Sequence, residues 1–413
     1  MLIDFSPLRK SREFGLLYVG QTVSFFGSML TYVAVPYQVF QISHSSLWVG
    51  LLGTFQLAPL LVAALLGGAF ADRLDRRRLL IVSELAMTAC SALLALNAWL
   101  PHPSLALLIV ISSAMSAING FHRPALDATT QQLVAREDQS ASAALGSLRF
   151  NLGAIGGPAC AGLVIAKWGL SAAYLLDVGS FAASLACLSL LAPIVRHGKI
   201  SEESPLSSIV EGLRYAISRP ELIGTYVVDI VAMIFAMPMA LFPVMAEHWS
   251  GATAAGWLYS AMAIGSLIMT LLSGWTKHVV RHGAAVVIAA TLWGLSIIAL
   301  GFAPSLPLAV ACLAVAGAAD MVSGIFRQTI WNQTIPGELR GRLSGVEMIS
   351  YMTGPLLGNA RAGFLASRFG ETLAIVSGGL LCAVGVLLCV PLLPAFWRYR
   401  ADFSAENATS AGS

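Results

Sequence analysis

The amino-acid sequence predicts an all-α integral membrane protein of about twelve transmembrane helices, arranged as two pseudo-symmetric six-helix halves. Three observations carry that prediction. Apolar runs recur from Phe14 to Trp397 with only short polar gaps, in a chain that is 57% hydrophobic and 11% charged over 413 residues, against about 25% charged in an average soluble domain. Lys and Arg gather in alternate gaps between those runs. Residues in the first half recur in the second at a fixed offset.

Crossing the hydrocarbon takes about 20 apolar residues. Polar punctuation then gives spans 14–41, 47–70, 79–100, 104–126, 141–166 and 171–195, followed by 221–246, 250–276, 284–303, 306–330, 342–367 and 372–397. The first run is too long for a signal-peptide core and lacks a small-residue cleavage pattern, so it is expected to stay as the first helix. The fourth span has a polar end, His122 to Gln132, that blurs into a loop. All six cysteines (Cys90, Cys160, Cys187, Cys312, Cys382 and Cys389) fall inside apolar runs with no CxxC, the pattern of small packing residues rather than of a disulfide framework.

With both termini placed in the cytoplasm, Lys167 and Arg368 are the only basic residues in outside loops, while Arg123, Arg149, Arg327 and Arg361 lie within spans. Every other Lys and Arg is then cytoplasmic, which fixes the orientation and supports an even number of helices. A missed span would have scattered the charges onto both sides. The expected location is the bacterial inner membrane, multi-pass.

A shift of 201 residues places Gln132 on Gln333, Glu137 on Glu338, Gly153 on Gly354, Gly162 on Gly363 and Gly169 on Gly370. Shared offset across a loop and a helix points to an internal repeat. The chain divides into a first half, 1–195; a cytoplasmic linker, 196–220; a second half, 221–397; and a disordered cytoplasmic tail, 398–413. In the linker Ile209, Leu213 and Ile217 recur at helical spacing, as in an amphipathic surface helix. Halves related in this way place a substrate near the bilayer midplane between them.

Between the second and third spans lies GAFADRLDRRR, Gly68 to Arg78. It resembles the loop signature GxxxDxxGRR or GRK of the major facilitator superfamily, with Asp75 where many members have glycine. The resemblance covers nearly the whole chain. It implies that Asp72, Arg73, Arg76 and Arg77 form a cytoplasmic gate that fastens the two halves; the plainer alternative is a topogenic basic loop with a helix cap. The second-half counterpart keeps Gly274 but has His278 in place of the aspartate.

In the fifth span Gly153, Gly156, Gly157, Pro158 and Gly162 form GAIGGPACAG. This is similar to the GxxxGPxxGG string of the superfamily's antiporter branches, with Ala161 replacing one glycine. Small residues permit close helix approach and proline bends the helix, so packing alone is the alternative. The segments FHRPALDATTQQLV (121–134), LLDVGSF (175–181), EGLRYAISRP (211–220) and LRGRLSG (339–345) look like the bacterial branch of enterobactin exporters and macrolide efflux proteins, which implies export.

A charge at the bilayer centre costs roughly 2.5–3.5 kcal/mol on insertion scales, so each intramembrane ionisable group needs a partner, a wet cavity or a neutral form. Asp229 in the seventh span and Asp320 in the tenth lie deep. By resemblance the first, fourth, seventh and tenth spans line the central cavity, and Asp320 matches Asn119 under the repeat. Asp320, Ser323, Gly324 and Arg327 share a face, as do Tyr226 and Asp229. Two roles stay open for Asp229 and Asp320: a proton carrier coupled to substrate exit, or a structural bond to an arginine such as Arg149 or Arg327. Arg149, Asn151 and Glu347 sit near the cytoplasm and suit pairing or gating. Arg123 and Asp127 can pair locally, and Asp177 lies near the outer end of the sixth span. Phe25, Phe26, Tyr32, Tyr37, Phe235 and Trp257 suit either an aromatic cavity or ordinary packing.

No GxxxxGK[ST], GxSxG or HExxH string occurs, so neither nucleotide hydrolysis nor metal or serine chemistry is expected. The expectation is a non-enzymatic secondary transporter without cofactor or metal. Its partners are a small-molecule substrate and membrane lipids, with no nucleic acid or nucleotide, and it is expected to act as a monomer driven by a proton gradient. The cargo reading is export of a hydrophobic or amphipathic drug-like molecule by proton antiport. A siderophore, a lipid or metabolite, and a non-transporting sensor remain as alternatives.

Overall fold

The computed structural model describes residues 4–73, 75–192, 205–336 and 339–400, with side chains described except at 64–73, 205–210, 340–342, 344–350 and 352. Among the described residues every regular element is helical: α1 (Ser6–Lys10), α2 (Arg12–Ser43), α3 (Ser46–Arg73), α4 (Arg76–Trp99), α5 (Leu105–Leu133), α6 (Gln139–Trp168), α7 (Leu170–Ser189) and α8 (Pro205–Ile217). The series continues with α9 (Pro220–Ala236), α10 (Phe242–Glu247), α11 (Ala252–Leu271), α12 (His282–Gly301), α13 (Leu306–Thr334), α14 (Arg340–Phe369), α15 (Glu371–Leu392) and α16 (Pro394–Trp397). Eleven helical segments among the described residues are long and apolar enough to cross a membrane. The remaining expected span is α14, a helix of 30 residues.

Local chemistry accounts for the helix ends. Ser11 caps α2 by accepting from the Phe14 amide at 3.1 Å, and Ser104 caps α5 by accepting from Leu107 at 3.3 Å. Asp75 accepts from the amides of Arg77 and Arg78 at the start of α4, which explains an aspartate at a position where a cap is needed. Asp138 accepts from Lys10 Nζ at 2.9 Å, tying α1 to the start of α6. That carboxylate raises the Lys10 ammonium pKa above its usual value.

Several boundaries differ from the expected spans. The fourth runs on to Leu133 instead of ending near 126, because Pro124 is accommodated within the helix. The sixth stops at Ser189 rather than 195. The seventh is not continuous: α9 ends at Ala236, Met237 is extended, and a 3-10 turn, Met239–Leu241, precedes α10. Pro238 is the cause, since proline forces the preceding residue out of helical geometry and lacks an amide to donate. Arg361 of α14 donates to the Phe235 carbonyl freed at that break.

Contacts divide the chain into two compact units, Met1–Pro205 with Met239–Ala263, and Leu206–Pro238 with Ile264–Ser413. This differs from the expected boundaries, because 239–263 joins the first six spans. Within the first unit Tyr37 donates to Glu247 at 3.1 Å, and Ser260 donates to the Ile155 carbonyl at 2.8 Å, one turn from Pro158. Gly162 and Gly256 bring α6 and α11 so close that a Cβ on Gly162 would lie 2.6 Å from the Ala252 carbonyl oxygen. Within the second unit α9, α12, α13, α14 and α15 pack together, and Phe396 of α16 is fully buried against Gly224 and Gly283.

The internal repeat is visible in backbone geometry. Helices α5 and α13 begin and end at the same offset as Gln132 and Gln333, and so do α6 and α14. Gly169 (φ 83°) and Gly370 (φ 88°) both adopt a left-handed conformation that favours glycine. Each donates its amide to the carbonyl four residues back, Ile165 and Ala366 respectively.

Of the linker, residues 205–217 form α8, with Leu213 and Ile217 exposed and Tyr215 donating to the Thr334 carbonyl at 3.0 Å. Ile209 lies outside the described side chains. In the expected tail, Tyr399 donates to Gln333 at 3.1 Å, so 398–400 are placed; 401–413 lie outside the described residues.

Candidate functional site

In the second unit α9 and α13 bring three charges together inside their spans. Arg327 Nη1 forms an ion pair with Asp229 Oδ1, and its Nη2 lies 3.7 Å from Asp320 Oδ1. Asp229 and Arg327 side chains are each 11% exposed, whereas Asp320 keeps 39%. The sequence spacing on α13 produces this geometry: Asp320, Ser323 and Arg327 fall on one face. Gly324 has nothing within 4 Å of where a Cβ would sit, so that stripe borders open space. A small cavity is lined by Asp229, Asp320, Ser323, Val228, Met233 and Trp293. One turn along, Trp331 Nε1 donates to Thr225 Oγ1 at 2.8 Å and Tyr226 stacks on the Trp331 ring at 5.5 Å. Two carboxylates facing one guanidinium leave the cluster with a surplus negative charge when both are ionised.

Two buried acids sit in the first unit. Asp177 is fully satisfied, accepting from Thr31 at 2.6 Å, Ser91 at 2.7 Å and Ser180 at 3.3 Å. It stitches α2, α4 and α7 together. Glu84 is different: Gln21 and Ser184 both donate to Oε1, His122 Nε2 lies 3.6 Å from it, and Oε2 has no partner. Sequence reasoning missed Glu84 and His122. A carboxylate five residues inside the expected third span was a signal that could have found Glu84.

The loop residues expected as a gate behave as follows. Asp72 and Arg73 lie in α3 outside the described side chains. Arg76 donates to Gln132 at 3.1 Å and to the Ala128 carbonyl at 3.4 Å, anchoring α4 to the end of α5. Arg77 donates to the Leu188 and Ser189 carbonyls at 3.2 and 2.7 Å, placing a cation on the negative end of the α7 dipole. Both are fasteners within the first unit.

The fifth-span glycines are contact surfaces. A Cβ on Gly153 would strike the Phe25 ring, one on Gly157 would strike Met29, and one on Gly162 would meet the α11 backbone. Pro158 is buried in the middle of α6. The repeat preserves this arrangement, since Gly354 and Gly358 of α14 lie against Met233 and Met237. Asn119 is exposed on α5. Arg123 pairs with Asp127 at 3.7 Å, Asn151 donates to the Ser147 carbonyl, and Glu347 lies outside the described side chains. Of the aromatics, Phe25 stacks on Phe150 and Phe235 lies under Arg361, while Tyr32 and Trp257 are each 44% exposed. All six cysteines are free thiols.

Two repeated six-span sets with ionisable groups held inside them define a membrane transporter of the major facilitator superfamily. A POT family transporter solved with 5-aminolevulinic acid shares the fold at a TM-score of 0.73 and 13% identity, covering 94% of this chain and 97% of that one. A bacterial homologue of the lysosomal transporter Spinster, captured inward-facing, matches at 0.69 and 15% identity, covering 95% and 97%. Residues 3–407 match the transmembrane secretion effector family, to which this chain belongs. Among curated relatives, the enterobactin exporter EntS of Escherichia coli O6:K15:H31 is 29% identical over 415 residues, covering 100% of this chain and 99% of the relative. EntS of Shigella boydii serotype 18 is 29% identical over 395 residues, covering 95% and 94%.

Proposed function

We propose that this protein is a secondary active exporter of an amphipathic small molecule across the bacterial inner membrane, with both termini cytoplasmic, acting as a monomer by proton antiport and alternating access. The observation that carries coupled transport is the sharing of Arg327 by Asp229 and Asp320. With both acids ionised the cluster is negative by one charge; one proton makes it neutral. A group whose charge differs between loaded states gives a ligand and a proton the differential affinity for two conformations that coupling requires. Asp320, the more exposed acid, is the proton carrier, and Asp229 with Arg327 is the fixed pair.

The length of the likeness to enterobactin exporters supports export and makes an iron-free catecholate siderophore the first candidate cargo. A broader, drug-like cargo is the second reading, favoured by the exposed rings of Tyr32 and Trp257. Efflux from cells expressing the protein, with iron-free enterobactin or a fluorescent amphipathic dye as probe, separates the two. Asp320→Asn at matched expression is expected to lower efflux of the transported probe by about tenfold or more, within the usual range of site-to-site coupling. Undiminished efflux by that variant would remove Asp320 from coupling.

A further inference from the structure

We propose that Glu84 and His122 form a second proton-binding site, inside the first unit, that gains and loses one proton in each transport cycle. The inference rests on the reading of the chain as a proton-coupled exporter.

The argument starts from unmet hydrogen bonds. Buried polar atoms are paired in the great majority of cases, and each exception calls for an explanation. Glu84 is 0% exposed and His122 is 8% exposed, yet Glu84 Oε2 and His122 Nε2 both lack a hydrogen-bond partner. They belong to groups whose closest approach is 3.6 Å, between Glu84 Oε1 and His122 Nε2. The proton has two sites here. On Nε2 it makes an imidazolium facing a carboxylate; on the carboxyl group it leaves a neutral imidazole facing an acid. At 3.6 Å, with no hydrogen bond closed between them, this pairing suits an exchangeable proton rather than a permanent ion pair.

The surroundings isolate the pair. From α2 it is faced by Gln21, from α7 by Ser184, and from α5 by His122 itself. Among the other charged groups on these helices, Asp177 is held by three hydroxyls, Arg76 by Gln132, Arg77 by carbonyls of α7, Arg78 by Asp75 and Arg123 by Asp127, while Arg12 and Glu13 stand in the first turn of α2, two turns or more from Gln21. The remaining nearby thiol, Cys187, lies against Gly20. Asp177 provides the contrast, because hydroxyl groups lie within hydrogen-bonding distance of both its carboxylate oxygens. Glu84 side-chain exposure is 0% and that of His122 is 10%, so the imidazole is the route by which a proton arrives. Thr129, seven residues along α5 and about 10 Å away, is also buried with an unpartnered hydroxyl and continues the polar line along the helix.

Two measurements test this. The first needs no substrate: pH-difference infrared spectra of the purified protein are expected to contain a carboxyl band that disappears in Glu84→Gln and shifts in His122→Asn. A difference spectrum unchanged by both substitutions overturns the site, and if Glu84→Gln does not fold, an unchanged His122→Asn spectrum does so alone. The second compares, in proteoliposomes, accumulation of iron-free enterobactin driven by a pH gradient with its exchange at equal pH. Either variant is expected to lose about tenfold of driven accumulation while exchange stays within about twofold; driven accumulation at the wild-type level overturns the coupling role. Should wild type neither accumulate nor exchange enterobactin, the cargo assignment fails, and the infrared result still decides the proton site.

Discussion

At the residue scale one guanidinium, that of Arg327, meets two acids in the second unit. Removing a partner from a buried ion pair strands the other charge and costs about 3–5 kcal/mol. Arg327→Met strands both Asp229 and Asp320, and is expected to lower the thermal midpoint of the detergent-solubilised protein. Adding Asp229→Asn to that variant removes one stranded charge and should restore much of the loss, as a double-mutant comparison of midpoints would record. Equal midpoints for wild type and Arg327→Met would show that the pair does not stabilise the fold. Asp229 and Asp320 were legible in the sequence because acids stand out within apolar runs. Arg327 was one of two arginines the sequence offered and shares a helix face with Asp320; that it, rather than Arg149, meets Asp229 was not legible, because helical spacing specifies a face and says nothing about the helix opposite. Glu84 escaped notice for a related reason: it follows Arg76, Arg77, Arg78 and Ser83 and reads as the polar start of a helix, whereas in the fold it is fully buried.

At the element scale α6 shows how small residues set helix packing. A Cβ on Gly162 would face backbone, with Ala252 O at 2.6 Å and Gly256 Cα at 3.0 Å, while one on Gly146 of the same helix would have nothing within 4 Å. One substitution should therefore act in opposite directions at two sites. Gly162→Ala pushes on backbone that cannot rotate away and is expected to destabilise by about 1–3 kcal/mol. Gly146→Ala is expected to be neutral or stabilising by roughly 0.5–1 kcal/mol, the helix penalty of glycine. Thermal midpoints of the two variants check this, and a matching loss at both would refute the assignment of close packing to Gly162. The GAIGGPACAG string was legible as a packing surface, but its partners, Phe25, Met29 and the α11 backbone, were not. Nor was the interruption after Ala236, because hydropathy runs on through Met237 and Pro238 and only the proline hints at it.

At the scale of the whole molecule the repeat explains why the chain carries paired devices. Matching bounds of α5 with α13 and α6 with α14, and left-handed glycines at Gly169 and Gly370, mark two versions of one six-span plan. Their ionisable groups have diverged: Asn119 stands where the second unit has Asp320, and Glu84 with His122 provides the first unit's own titratable pair. The spans and the repeat could be read from the sequence because length, hydropathy and offset are properties of the chain itself. Assignment of 239–263 to the first unit could not, since it depends on contacts such as Gly162 with Gly256 and Tyr37 with Glu247. The central claim is that a proton gradient drives export. Its most direct test is accumulation of iron-free enterobactin by everted inner-membrane vesicles containing the protein, with an acid interior imposed and a protonophore then added. Accumulation that rises with the gradient and collapses on adding the protonophore is the predicted result; accumulation that persists unchanged after the gradient is abolished would contradict it.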